Sequence, residues 1–210
     1  MTLPIIPLPF EARSACYWER WGLVGRSGQN WPWSIGVPIV QPRRSPVFIV
    51  FAGLPGTGKS TIARALAAEL GAVWLRIDSL EQAIRASGVV DGDLRDVGYR
   101  AAYAVAEDNL RLGRTVIGDS VNPWMLTRNA WRDAGLRAGV RVVEIETICS
   151  DLAEHRQRIE MRSNEVPGMI LPSWREVIDR DYRAWDREHV TIDRAGRSVE
   201  ACVELIRVVL

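Results

Sequence analysis

Residues 53–61 read GLPGTGKST, and this sequence is the strongest indication of the fold. It matches the pattern G-x-x-x-x-G-K-[ST] of a phosphate-binding loop (P-loop) and adds a second hydroxyl residue at its end. The glycines let the backbone curl so that successive N–H groups point at phosphate oxygens. Lys59 is expected to reach the β- and γ-phosphates, and Ser60 to offer its hydroxyl to Mg²⁺. The residues predicted to bind the nucleotide in this loop are Gly53, Pro55, Gly56, Thr57, Gly58, Lys59, Ser60 and Thr61.

Strand-like and helix-like segments alternate on both sides of the loop. The predicted strands cover residues 47–52, 73–77, 115–118, 140–148 and 190–192. The predicted helices cover residues 60–70, 79–87, 93–112, a segment from 123, 151–162, 172–185 and 199–209. Strands that alternate with helices of this length form βαβ units and a parallel sheet. The pattern therefore predicts an α/β fold of the P-loop NTPase class.

Composition divides the 210 residues into two predicted regions. Residues 1–45 hold four of the nine tryptophans among Gly, Pro and Ser, and they show no sustained period, which indicates an N-terminal extension. Residues 46–210 carry the regular pattern and form the predicted P-loop domain. The apolar start, residues 1–10, is broken by prolines and lacks a basic region, and no later stretch is long enough to span a bilayer, so a cytoplasmic protein is expected.

The basic residues are almost all arginine. Of the 27 lysine and arginine residues, Lys59 is the only lysine. Lysine is a compact, flexible charge that arginine does not replace at a tight phosphate site. A single lysine also excludes the N-K-x-D motif with which GTPases recognise guanine, and no apolar strand ends in Asp-Glu as in large remodelling ATPases. ATP is favoured by elimination, and the net charge of +1 argues against broad capture of nucleic acid or anionic membrane.

Two aspartates follow predicted strands, at the sheet edge where such folds bind ligands. Asp78 could accept a proton from an attacking hydroxyl. It could instead cap a helix, since Asp78 and Glu81 have capping-box spacing. Asp119 could hold a Mg²⁺-bound water or the substrate, or it could be an ordinary solvated strand end. It is included among the predicted cofactor- and metal-binding residues.

A helix with three arginines, Arg156, Arg158 and Arg162, leads into residues 163–171. Arg158 and Arg162 are four residues apart and share a helix face. In a kinase they would belong to a lid that closes over the phosphates and neutralises charge in the transition state. A solvated, arginine-rich helix face is the alternative. Arg158 and Arg162 are the predicted contacts.

From about residue 46 onward the chain resembles the small AAA-type P-loop kinases grouped with polynucleotide kinase, chloramphenicol phosphotransferase and zeta-toxin-like proteins. The resemblance rests on GLPGTGKST (53–61), RIDS (76–79), GDSVNP (118–123) and HRQRIEMR (155–162). It implies a three-layer α/β/α sandwich with a five-stranded parallel sheet and a small helical lid. It also implies ATP with Mg²⁺, phosphoryl transfer to a hydroxyl, and Lys59, Asp78, Arg158 and Arg162 as catalytic residues.

One position departs from the polynucleotide kinase pattern, which has an arginine three residues after the base where this chain has Glu81. An acid there would repel a nucleic-acid phosphate. The leading hypothesis is therefore a kinase for a small molecule with a free hydroxyl. The alternatives are a 5′-hydroxyl polynucleotide kinase and a non-catalytic ATP-binding switch or interaction module. Nothing in the sequence indicates an oligomeric state.

Overall fold

The computed structural model describes residues 45–90 and 92–210, and twelve helices and strands occur within them. The strands are β1 (Val47–Ala52), β2 (Val73–Arg76), β3 (Val116–Asp119), β4 (Arg141–Ile148) and β5 (Val190–Asp193). The helices are α1 (Lys59–Leu70), α2 (Ile77–Ala86), α3 (Val97–Arg111), α4 (Met125–Arg137), α5 (Leu152–Met161), α6 (Trp174–Ile178) and α7 (Val199–Arg207).

All five strands are parallel and lie in the order β2-β3-β1-β4-β5. Side chains of the central strand β1 alternate between the two faces of the sheet. Ile49 and Phe51 pack in one buried cluster with residues of α1 and α7. Phe48 and Val50 pack in a second cluster with residues of α3 and α4. The predicted three-layer α/β fold with a five-stranded parallel sheet is confirmed.

One predicted helix, residues 172–185, is much shorter than expected. A capping box between Ser173 and Glu176 starts α6, which ends at Ile178. The chain then leaves the helical path because the carbonyls of Arg183 and Ala184 accept hydrogen bonds from the guanidinium of Arg128 on α4. Hydrophobic spacing alone gives no sign of this competing partner.

The start of α2 also differs from the prediction, and the difference moves a candidate residue. Strand β2 ends at Arg76 and the helix begins at Ile77, a buried residue that packs against the α3 side of the sheet. Asp78 therefore lies in the first turn of α2. The helix-cap alternative for Asp78 is wrong, because Arg76 is the N-cap residue and no side chain caps this helix.

The predicted N-terminal extension, residues 1–45, lies outside the described residues except for Ser45, and it stays a prediction. Over residues 45–90 and 92–210, no helix is both long and apolar enough to cross a membrane.

Candidate active site

The P-loop packs closely against strand β4 and helix α5. Gly53 has φ 135°, and a Cβ there would lie 2.3 Å from the carbonyl oxygen of Thr147. Gly56 has φ 84°, and its Cβ would lie 2.5 Å from Cδ1 of Ile159. Any side chain would therefore have to displace the neighbouring backbone or core. The two glycines allow the loop to lie against the sheet with its amides free to face a ligand.

A buried histidine braces the loop from behind. Nε2 of His155, on α5, lies 2.8 Å from the carbonyl oxygen of Pro55. A carbonyl only accepts, so Nε2 carries the proton. Trp174 packs edge-on against the imidazole, with 5.1 Å between the ring centroids. The sequence assigned no role to His155, because its only signal is this contact with a residue 100 positions away in the chain.

Lys59 opens α1 and is buried at the base of the loop. Burial lowers the pKa of its amine, while the nearby carboxylates of Asp119 and Asp78 act in the opposite direction. A buried ammonium is costly without an anion beside it. The ammonium of Lys59 is therefore already in position to bind an anionic ligand.

Asp119 ends β3 and is almost fully buried beside Lys59. Ser60 Oγ donates to its Oδ1 at 3.1 Å, and the indole N–H of Trp74 donates to its Oδ2 at 3.2 Å. Burial raises the pKa of Asp119, an effect opposed first by the charge of Lys59. Each carboxylate oxygen therefore has a donor that fixes its direction. Trp74 is a site residue that the sequence did not reveal, because a tryptophan in a short strand normally indicates core.

Asp78 stands one helical turn before Glu81 on α2, and both residues line the same cavity as the P-loop. Arg76 Nε lies 3.6 Å from Oδ2 of Asp78, and Arg76 Nη1 donates to Glu165 at 3.1 Å. The Asp78 side chain keeps 32% of its surface exposed. It is thus held near a cation and remains open to a ligand.

The three arginines of the α5 segment have different surroundings. Arg156 is exposed and pairs with Glu160 at 2.7 Å, which places it away from the cavity. Arg158 lines the cavity, where its Nη2 binds Glu154 and donates to the carbonyl oxygen of Arg194 at 3.0 Å. Its Nη1 is buried and has no partner among the described residues.

Arg162, the third arginine, also lines the cavity, immediately after the last residue of α5. Partial burial lowers the pKa of its guanidinium, and the charge of Asp78 acts against that shift. The structure thus brings Arg158 and Arg162 to the cavity as separate neighbours of the P-loop and of Asp78. Arg162 itself lies beyond the helix that was predicted to include it.

These groups surround a cavity of about 560 Å³ at the carboxyl end of the sheet. Its floor is the P-loop, one wall is α2, and its roof is the irregular segment 162–172 between α5 and α6. The residues that line the cavity include both arginines predicted for the lid, together with Lys59, Ser60 and Asp78. Asp119 lies beneath the floor and reaches the cavity through Ser60.

The loop after β3 is held by a buried network that sequence analysis also missed. Asn122 has φ 48°, a left-handed conformation that asparagine tolerates, and its amide donates to the carbonyl oxygen of Phe51 at 2.8 Å. Arg128 is fully buried and donates to the carbonyl oxygen of Asn122 at 2.9 Å. The rings of Tyr182 and Trp185 lie 5.0 and 4.2 Å from its guanidinium carbon. This network fixes the loop that connects Asp119 to α4.

Comparison with known proteins agrees with this architecture. The model of a family described as AAA domain matches residues 48–180. An uncharacterized protein of Mycobacterium tuberculosis is 34% identical over 100 residues, which is 45% of this chain. The match spans only 20% of that relative's length.

Two named kinases are also similar to the chain. Shikimate kinase of Geobacter sulfurreducens is 29% identical over 182 residues, covering 81% of this chain and 92% of the relative. The structure of Mycobacterium tuberculosis APS kinase in complex with AMPPNP and APS superposes with a TM-score of 0.58 at 20% identity. That superposition covers 80% of this chain and 99% of the other, and it shows a shared fold.

Proposed function

The chain belongs to the AAA domain family, and on that premise we propose that it is an ATP- and Mg²⁺-dependent kinase. It transfers the γ-phosphoryl group to a hydroxyl of a small molecule. The kinases to which it is similar include one named for shikimate and one whose structure holds AMPPNP and APS, which supports a nucleotide donor and a small acceptor. Its fold is that of small P-loop kinases.

One observation carries the proposal: a single cavity joins the P-loop, Asp78 and Arg162. A P-loop alone fits any nucleotide-binding protein. A carboxylate in the same cavity as the phosphate-binding lysine adds a proton acceptor where a hydroxyl would approach. An arginine beside both adds charge where the transferred group would pass.

The proposed reaction follows from these positions. The acceptor oxygen attacks the γ-phosphorus as the bond from that phosphorus to the β–γ bridging oxygen breaks, and ADP leaves. Asp78 takes the hydroxyl proton. Lys59 and Arg162 hold the phosphate oxygens, and their positive charges offset the negative charge on the transferred group and on the leaving ADP. Arg158 contributes its free Nη1 to the same oxygens.

The donor set at the base of the cavity fits Mg²⁺. This ion keeps several waters and takes few protein ligands beyond the phosphates, and it prefers hydroxyl and carboxylate oxygens. Ser60 Oγ and Asp119 Oδ1, 3.1 Å apart, are such a pair at the end of the P-loop. Ser60 would bind the ion directly and Asp119 through a water. When bound, the ion would offset negative charge on the phosphates.

Transfer of label from γ-labelled ATP into a fractionated cell extract tests the proposal. The wild-type protein should label an organic product that mass spectrometry can identify, and Lys59→Ala should label none. Glu204 is an exposed α7 residue whose side chain pairs with Arg207 and with no other described residue, so Glu204→Gln is the control and should behave as wild type. Absence of a labelled product with every fraction, from protein shown to bind ATP, would refute the kinase proposal.

A further inference from the structure

Glu81 lines the cavity, but it has no role in the proposed reaction. Its side chain is half-buried on the wall formed by α2, one turn beyond Asp78. Among residues 45–90 and 92–210 no group forms a hydrogen bond or an ion pair with its carboxylate. Within these residues the carboxylate has no competing partner, and it is available to a ligand in the cavity.

The side chain of Glu81 packs against the start of α3, which fixes its position. Gly98, at the start of α3, lies so close that a Cβ on it would stand 2.6 Å from Cγ of Glu81. The next residue, Tyr99, is partly buried against the core on the α3 side of the sheet, and burial raises the pKa of its phenol to about 12, so it stays neutral. The α3 side is therefore closed to the carboxylate, and the cavity is the direction left to it.

The charges that act on Glu81 are mostly negative. Its pKa is raised first by burial and then by Asp78 and Asp93, while Arg85 acts in the opposite direction. The cation nearest to Asp78, Arg76, is already shared between Asp78 and Glu165. Of the other arginines that line the cavity, Arg162 acts on Asp78 and Arg180 on Glu176. An anionic group placed against Glu81 itself would meet a negative charge that Arg85 alone opposes among the described residues.

The α2 side of the cavity, which carries Asp78 and Glu81, is the side where the acceptor would bind. Lys59, Ser60 and Asp119 gather where β1 and β3 end, and Asp78 and Glu81 come from the element that follows the edge strand β2. Arg194, from the loop after β5, lies on the opposite side, 3.2 Å from a Cβ built on Gly58. An acceptor molecule whose hydroxyl lies within reach of Asp78 therefore has its remaining part against Glu81.

We infer that Glu81 selects the acceptor. It accepts a hydrogen bond from a second donor on the molecule, a hydroxyl or an ammonium group close to the reacting hydroxyl, because an ionised carboxylate can only accept. The acceptor class is a neutral or cationic polyol or amino alcohol without a phosphate or carboxylate at that end. This inference rests on the proposed kinase function.

Ion exchange of a cell extract at pH 7 gives cationic, neutral and anionic fractions for the test. Each fraction is incubated with the full-length protein, Mg²⁺ and γ-labelled ATP, and the labelled product is identified by mass spectrometry. Label should come from the neutral or cationic fraction. Label from the anionic fraction alone would overturn the inference and leave the kinase function intact. No label from any fraction would refute the kinase function, and the inference with it.

Two variants then test Glu81 on the acceptor identified. Glu81→Gln keeps the size and should lower kcat/KM about tenfold to hundredfold, mainly through KM, with KM for ATP unchanged. Gly98→Ala leaves the charge but pushes the carboxylate aside, and should give a loss of the same kind. Glu204→Gln is the matched control and should retain wild-type kcat/KM. Full kcat/KM for this acceptor in Glu81→Gln would overturn the inference.

Discussion

Among single residues, Asp78 is the one on which the proposed reaction depends most. Asp78→Asn keeps the shape and removes the proton acceptor, so kcat should fall by about 10²–10⁴-fold. ATP affinity should stay within about twofold, because the P-loop is untouched. Transfer kinetics and equilibrium titration with ATP measure the two quantities.

Asp179→Asn is the control for Asp78, since Asp179 is an exposed residue after α6 that pairs with Arg175. It should retain the wild-type kcat. If Asp78→Asn transferred phosphate at the wild-type rate, Asp78 would not be the base, and the cavity would need another proton acceptor.

Trp74 allows a second prediction about one side chain. Trp74→Phe removes the indole N–H that donates to Oδ2 of Asp119 and keeps an aromatic ring in the sheet. Residues that orient a metal-binding carboxylate change metal affinity about tenfold or more when they are lost. The Mg²⁺ concentration for half-maximal activity should rise by about that factor, with kcat at saturating Mg²⁺ near wild type.

Trp124→Phe is the matched control for Trp74. The indole of Trp124 also donates to an aspartate, Asp181, at 3.0 Å, but on the exposed surface. Its Mg²⁺ dependence should not change. Equal Mg²⁺ dependence in Trp74→Phe and wild type would show that Trp74 does not position Asp119 for the metal.

At the scale of elements, the segment around α5 combines two tasks. Its first half braces the P-loop through His155, and its last residues bring Arg158 and Arg162 to the cavity. Arg162→Gln should lower kcat about 10²-fold or more, because it removes charge that counts most in the transition state. KM for ATP should change less than kcat.

Arg156→Gln, on the exposed face of α5, is the control for Arg162 and should leave kcat within about twofold of wild type. Steady-state kinetics with the identified acceptor measure both variants. A kcat in Arg162→Gln equal to that in Arg156→Gln would contradict the role of Arg162.

The buried Arg128 on helix α4 leads to a prediction about stability. Arg128→Met leaves three carbonyls, those of Asn122, Arg183 and Ala184, without their donor and removes the cation that lies over two aromatic rings. The free energy of unfolding should fall by about 3 kcal/mol or more. Urea denaturation measures the change.

Arg132→Met, one turn further along α4, provides the comparison, because Arg132 is 45% exposed and makes a long contact of 3.7 Å to Glu144. Its loss should cost less than about 1 kcal/mol. Similar losses in Arg128→Met and Arg132→Met would mean that the buried network does not hold the loop after β3.

At the scale of the whole molecule, the fold could be predicted because its signals are local. A buried strand, a glycine loop and a helix follow one another within residues 47–70, and the same alternation continues to α7. The resemblance to small P-loop kinases is confirmed by the family match over residues 48–180. Helix boundaries were less predictable, as α6 shows.

The site was only partly predictable, for a physical reason. Lys59, Asp78 and Asp119 stand at fixed places after strands, so topology alone brings them to one edge of the sheet. Trp74 and His155 act through contacts with residues 45 and 100 positions away, and a sequence carries no short-range sign of such contacts. The roles of all five residues remain proposals.

Transfer of phosphate from ATP to an organic hydroxyl can be followed by ³¹P NMR of a complete reaction. The full chain is mixed with ATP, Mg²⁺ and the active extract fraction, with Lys59→Ala as the parallel sample. The proposed transfer should give one new phosphate-ester signal for each ADP formed, and Lys59→Ala should give no change. ADP accompanied only by inorganic phosphate, or bound ATP that is never consumed, would contradict it.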